Sequence, residues 1–199
     1  MLRAWAAEDP RVHVITQKPK GIVAALQRAV KAARGDILVR MDADDIAHPE
    51  RIARQVELLD NHPQVGACGT LVQYFPREDL RGGALRYERW INALVEHDDI
   101  VRDIFVECPI AHPTLAVRRS TLESAGGYQD NGWPEDYDLV LRLWQQGIHF
   151  AKVPDAMLLW RERPDRASRT DPRYSPDSFR RCKVHYLMHT LLTGRDGVV

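Results

Sequence analysis

Three aspartates in four residues, Asp42, Asp44 and Asp45, follow the apolar run Ile37-Leu38-Val39-Arg40-Met41 with no spacer between them. A run that short and that apolar suits a strand buried on both faces of a sheet, so the carboxylates after it have to leave the core at the strand's end. The chain is thereby committed to a sheet whose strand ends open onto a polar crevice, where open α/β sheets hold ligands.

The surrounding pattern agrees with an α/β class. Val12-His13-Val14-Ile15-Thr16 is β-prone, Lys18-Pro19-Lys20-Gly21 is a turn, and Ile22, Ala25, Leu26, Ala29 and Val30 recur at helical spacing up to Gly35. This predicts a parallel β-α-β unit joining residues 12–16 to 37–41. Pro49 suits a first helical position, with an apolar stripe of Ile52, Val56 and Leu59 over 49–60. Strand character follows within 65–75, a charged loop over 76–83 and a helix around 87–96. A strand at 114–117, a short helix at 120–125 and a glycine turn at Gly126-Gly127 come next. The spacing predicts a helix over 136–146, stopped by Gly147, and a strand over 148–153. Residues 161–181 hold seven arginines against four acids, ahead of a helix-like tract ending near Leu192.

With 199 residues, the chain is long enough for one sizeable core and short for two. Lys plus Arg and Asp plus Glu both number 28, so no overall field would hold a nucleic acid, and any anion site must be local. Cys68, Cys108 and Cys182 are odd in number, far apart and without CxxC spacing, which fits a reducing cytosol better than a disulfide framework. No apolar stretch approaches the roughly 20 residues of a spanning helix.

Two carboxylates one residue apart suit a hard divalent cation, since Mg²⁺ commonly takes one or two protein carboxylates together with substrate phosphates and water. The plainer alternative is that Asp44 or Asp45 caps the helix beginning near Pro49. A phosphotransferase nucleophile at Asp42 lacks the small hydroxyl-bearing neighbour that such chemistry uses.

Over nearly its whole length the chain resembles the family 2 glycosyltransferases, which have the GT-A nucleotide-sugar fold, a Rossmann-like α/β arrangement. The resemblance is carried by Gly21-Ile22-Val23-Ala24-Ala25-Leu26, Ala33-Arg34-Gly35-Asp36 and Arg40-Met41-Asp42-Ala43-Asp44-Asp45. Further on it is carried by His112-Pro113-Thr114, Gly126-Gly127-Tyr128 and Glu135-Asp136-Tyr137-Asp138-Leu139, in that order. It implies that Asp44 coordinates Mg²⁺ or Mn²⁺, that Asp42 joins the metal shell or contacts the donor's ribose, and that Asp45 is the structural cap. Arg40 and His112 then face the donor, a nucleotide-sugar with UDP the expected carrier. Asp136 is implied as the base of an inverting transfer, with Glu135 orienting it or the acceptor, although both acids would also complement a helix N-terminus. Gly127, Tyr128 and Trp133 fall on the acceptor side, where a saccharide, lipid-linked or protein hydroxyl is expected; Trp133 is equally suited to core packing. Arg163 and Arg169, with Arg161 and Arg166, match basic residues that close over a donor pyrophosphate, or form a solvated mixed-charge linker. Cys182, His185 and His189 could share one helix face as a soft-metal set, but an amphipathic packing helix explains them more simply.

The family's first strand and nucleotide-binding loop, its first helix and its acid-ended second strand have no counterpart here, residues 1–11 resembling only the tail of that region. The expected organisation is a partial GT-A domain over 1–160 and a basic segment with a C-terminal helix over 161–199, cytoplasmic and touching a membrane through its acceptor. In the family's sheet order the two absent strands lie between 12–16 and 37–41. These two are therefore expected to pair directly across residues 21–35, or to leave an edge that another copy covers. The alternative to a transferase is a catalytically incomplete relative that binds without turning over.

Overall fold

The computed structural model describes residues 2–193, which divide into two compact units, Met1–Arg34 and Gly35–Val199. In the first, helices α1 (Leu2–Glu8) and α2 (Gly21–Ala32) flank a stretch without regular structure. Within that stretch Arg11 clamps Asp9 through Nε and Nη2, at 3.0 and 2.7 Å. Helix α2 follows the expected spacing. The strand expected at 12–16 does not form, and the parallel β-α-β unit goes with it. A strand needs a neighbour for its N–H and C=O groups, and the sheet of this chain is assembled from residues of the second unit alone.

The second unit contains β1 (Ile37–Val39), β2 (Ile46–Ala47), α3 (Arg51–Asn61), β3 (Val65–Phe75), α4 (Gly82–Ala93) and α5 (His97–Arg102). It continues with β4 (Ala116–Arg118), α6 (Arg119–Ser124), α7 (Glu135–Gln145), β5 (His149–Arg161), α8 (Ala167–Thr170) and α9 (Pro176–Thr193). The strand order is β1-β4-β3-β5-β2. β4 is antiparallel to both β1 and β3, and β3 is parallel to β5. β1, β3 and β5 therefore run the same way, and the residues following β1 lie at the end of the sheet where β3 and β5 also finish.

β5 runs well past the strand expected at 148–153. Between Thr70↔Val153 and Leu71↔Ala156 the register jumps, leaving Pro154 and Asp155 as a bulge. Proline has no N–H for the ladder, and pushing it out lets the strand resume to Arg161. One core cluster gathers Leu59, Val65, Cys68 and Ala116; a second gathers Val72, Ile91, Ala111 and Leu158, edged by Tyr87, Trp90 and Trp160. All three cysteines are buried and free. Among the described residues no helix is long and apolar enough to cross a membrane.

Helix α3 turns inward a face rotated from its apolar stripe and sharing Leu59 with it. Ile52 is 57% exposed, whereas Arg51, Gln55 and Leu59 are buried. The buried polar groups serve backbone carbonyls: Arg51 donates to the carbonyls of Arg40 and Pro113, at 2.8 and 2.7 Å, and Gln55 Nε2 donates to that of Thr114 at 2.7 Å. These carbonyls belong to the two segments that carry the acidic and histidine motifs, so α3 fixes both.

Candidate active site

Beyond β1 the backbone is held by Arg40, whose N–H donates to the Leu115 carbonyl at 2.8 Å. The Arg40 guanidinium grips Asp42 in bidentate fashion, Nη1 to Oδ2 and Nη2 to Oδ1 both at 2.6 Å, a fork geometry that only arginine supplies. Asp45 turns inward and is 8% exposed. Its Oδ1 accepts the Arg161 N–H at 2.8 Å, so it secures the end of β5 and does not cap α3, whose N-cap position has no side-chain hydrogen bond. The Arg161 guanidinium donates to the Asp44 carbonyl at 2.7 Å and lies over the Phe75 ring. The Asp44 carboxylate is 37% exposed, with Arg163 Nε 3.6 Å away.

The aspartate cluster fits a divalent cation. Asp45 Oδ2 is buried with no hydrogen-bond partner, and its carboxyl is pushed up to about 6 by burial, with the charges of Asp42 and Asp44 adding. Hard carboxylate oxygens crowded this closely favour a cation nearby. Among the described residues no three His, Cys, Asp or Glu side chains converge to hold an ion unaided. Cys182, His185 and His189 form no such set: Cys182 is buried, His185 packs on Trp133, and His189 contacts Gln145.

The second acidic pair opens α7 directly after Pro134. Glu135 is 1% exposed, and the Tyr174 hydroxyl lies 2.9 Å from both its carboxyl oxygens. His112 Nδ1 is 3.7 Å from Glu135 Oε1, and its Nε2 is 2.9 Å from the Tyr128 hydroxyl. His112 sits on a 3-10 turn laid against β3 at Gly69, where a Cβ would come within 3.0 Å of Ile110 and 3.1 Å of Thr114. Tyr128 follows Gly126 and Gly127, both in the left-handed region, with φ of +77° and +68°. Asp136 is partly exposed, and its Oδ1 accepts the Tyr137 N–H at 2.8 Å.

Burial raises both acids of this pair above the ordinary carboxylate range, the charge of Asp136 adding at Glu135 and that of Glu107 at Asp136. Arg40 opposes the rise at Asp136. His112 is held well below the usual histidine value, first by burial and then by Arg40, and is neutral at pH 7. Arg40 thus acts on both clusters, touching Asp42 directly and exerting its field on Asp136 and His112.

Of the remaining residues singled out in the sequence, Trp133 gives its Nε1–H to Asp138 at 2.6 Å and packs against His185. Gly127 contributes a turn, its N–H donating to the Leu122 carbonyl. Arg163 bridges Asp44 and Asp165, while Arg169 and Arg166 pair with Glu162. Arg166 also lies 4.5 Å over the Trp160 ring. Three further residues of the site lie outside its sequence motifs, and a fourth, Asp138, lies within the segment 135–139. Arg51 supports Arg40, Arg173 reaches the loop before α7, and Tyr174 holds Glu135. Asp138 is fully buried and accepts from Asn131, Trp133, Arg142 and Tyr186. The arginine surplus of 161–181 points to Arg173, whereas nothing in the sequence singles out Arg51 or Tyr174.

The family model described as glycosyl transferase family 2 matches residues 1–126. The amylovoran biosynthesis glycosyltransferase AmsE of Erwinia amylovora is 32% identical over 154 residues, 77% of this chain and 55% of that protein. The putative glycosyltransferase EpsE of Bacillus subtilis is 28% identical over 172 residues, 84% and 59% of the two chains. Among solved structures, the mannosyltransferase PcManGT from Pyrobaculum calidifontis, in complex with GDP-Man and Mn²⁺, matches with a TM-score of 0.58 at 21% identity. That match covers 100% of this chain and 51% of that one. S. aureus TarS 1–349 in complex with UDP-GlcNAc matches with a TM-score of 0.57 at 15% identity, over 86% and 46%. The chain spans about half the length of these relatives. At such identities the structural likeness bears on the fold, which is the GT-A arrangement.

Proposed function

The chain belongs to glycosyltransferase family 2, and from that premise we propose that it transfers a sugar from a nucleoside-diphosphate donor to an acceptor hydroxyl with inversion. The observation that carries this reading is the link between the two acidic clusters: Arg40 holds Asp42 and is anchored on the Leu115 carbonyl, in the turn whose His112 lies against Glu135. PcManGT is described with GDP-Man and TarS with UDP-GlcNAc, so the donor class, a nucleotide-sugar, is what the likeness supports.

In this reading Asp44, with Asp42 beside it, would hold Mg²⁺ or Mn²⁺. The ion, when bound, neutralises charge on the leaving diphosphate. Arg163, already within 3.6 Å of Asp44, contacts the same phosphates; Arg169 is engaged by Glu162. Asp136 takes the proton of the acceptor hydroxyl as that oxygen bonds to the anomeric carbon. The bond from that carbon to the diphosphate oxygen breaks on the opposite side, and its electron pair leaves with the diphosphate. His112 and Tyr128 are buried and paired with each other beside Glu135, and His112, held well below its usual value, does not compete for the proton.

Calorimetric titration of UDP and GDP, each with and without Mn²⁺, tests the reading. Binding of one of them is expected to require the metal, and Asp44→Asn to remove that dependence. Asp136→Asn should leave nucleotide binding intact and lower transfer by about a hundredfold or more, the usual contribution of a positioned base. Metal-linked binding without transfer in the unmodified chain would favour the alternative of a binding module. Absence of any metal-linked binding would count against the donor site itself.

A further inference from the structure

The segment leaving β5 touches both acidic clusters. At its start the Arg161 N–H holds Asp45, the Arg161 guanidinium holds the Asp44 carbonyl, and Arg163 stands beside the Asp44 carboxylate. At its far end the 3-10 turn Pro172–Tyr174, capped by Asp171 accepting the Arg173 N–H at 2.9 Å, is fastened to the loop before α7. There Arg173 donates to the Trp133 carbonyl at 3.0 Å and to Asp130 Oδ1 at 2.7 Å, and the Tyr174 hydroxyl meets both oxygens of Glu135.

Resting on the transferase reading above, we propose that Tyr174 is a positioning residue for the base. By holding Glu135 it fixes the first turn of α7, and with it Asp136, to the segment that reaches Asp44 and Asp45. A carboxyl group with 1% exposure has almost no water to stabilise its charge, and a partner that loses its own proton would fail it. Tyr174 does not lose it: burial, together with the charges of Glu135 and Asp136, drives its ionisation upward, so the hydroxyl remains a donor throughout the working range. The groups that face Glu135 are Asp136 on its own helix, His112 at 3.7 Å with Tyr128 bonded to it, and Arg173 with Tyr174 on the segment. Asp136 raises the Glu135 ionisation, whereas Tyr174 and Arg173 lower it. Losing the hydroxyl leaves Asp136 less opposed, and Glu135 then takes up a proton at higher pH.

Tyr174→Phe removes the hydroxyl and keeps the ring. Two readouts need no turnover: the carboxyl carbon resonance of Glu135, followed by NMR as pH is varied, and amide exchange over residues 135–138. The Glu135 titration should move to higher pH and the amides should exchange about tenfold faster, the scale of one hydrogen bond to a charged group. In transfer assays kcat should fall about tenfold with the donor KM within twofold. Unchanged titration and exchange would overturn the proposal, as would a donor KM that rises in step with the loss of kcat, which marks general loosening. If the unmodified chain transfers no sugar but both spectroscopic readouts respond, the positioning contact stands and the transferase reading falls. If it transfers sugar and Tyr174→Phe is indifferent, the reverse holds.

Discussion

Asp136 has to be ionised to act, yet its surroundings resist ionisation. Burial of the carboxyl raises it above 3.8, the charge of Glu107 adds to the rise, and Arg40 works against it. For a carboxyl whose folded value is raised, the protonated form favours the folded chain. That stability is fully present below the unfolded value of 3.8 and is lost as pH rises through the raised folded value, while the base becomes competent over the same window. The acid limb of a kcat profile should therefore lie above the ordinary carboxylate range. Arg40→Gln, which deletes the opposing positive charge, should move that limb further upward, whatever it does to donor affinity through Asp42. The measurement is the pH dependence of kcat for the two proteins; a limb near 3.8 that ignores the substitution would mean the base is solvated and distant from Arg40. His112 offers a useful contrast, since it is held well below its usual value and should contribute no limb between pH 6 and 8.

Helix α3 makes an equally specific prediction at the scale of an element. Arg51→Met keeps the length of the side chain but strips two carbonyls, those of Arg40 and Pro113, of a charged donor. With hydrogen bonds to charged groups at about 1.5–3 kcal/mol each, the sheet unit should lose on the order of 3–5 kcal/mol. Ile52→Ser, on the 57% exposed face, should stay within about 0.5 kcal/mol. Urea midpoints for the pair decide which face is inward, and equal losses would refute the arrangement. The example also marks what a sequence can tell. The extent of α3 and its stop were legible from periodicity, as were α2, α7 and the glycine turn at Gly126-Gly127. The inward face was not, because hydrophobicity cannot foresee that two loops will present carbonyls to a helix. The same limit hid Tyr174, whose role comes from a partner 39 residues distant. Val12 to Thr16 failed for another reason, since β propensity needs a neighbouring strand to become a strand. The continuation of β5 beyond Val153 is visible only in its pairing with β3, from which Pro154 is bulged out.

The sheet as a whole is built around β3 and β5, and its most unusual occupant lies between them and α4. Lys152, in the middle of β5, is 2% exposed, with its ammonium 2.5 Å from the Ile91 carbonyl and no carboxylate among the groups acting on it. Burial lowers its ionisation from 10.5 to about 7. Above 10.5 the amine is neutral in both states and the folded chain has its full stability. As pH falls, the unfolded chain takes up a proton that the folded chain refuses, so stability declines until pH reaches about 7 and then levels off. Lys152→Met fills nearly the same volume without a charge to desolvate, and it loses one hydrogen bond to Ile91. Set against a shift of this size, the lost bond leaves a net gain at pH 7 of about 2 kcal/mol, or roughly 4–8 °C in Tm for a chain of this length. The gain should disappear as pH rises and by pH 10.5 give way to a small loss, because there the lysine too is neutral in both states and still donates its hydrogen bond to Ile91. Thermal melts at the two pH values check both the sign and its pH dependence. A variant that melts no higher than the unmodified chain at pH 7 would show that Lys152 keeps its proton in the core, held by the Ile91 carbonyl and the Cys108 sulfur more strongly than their weak dipoles warrant.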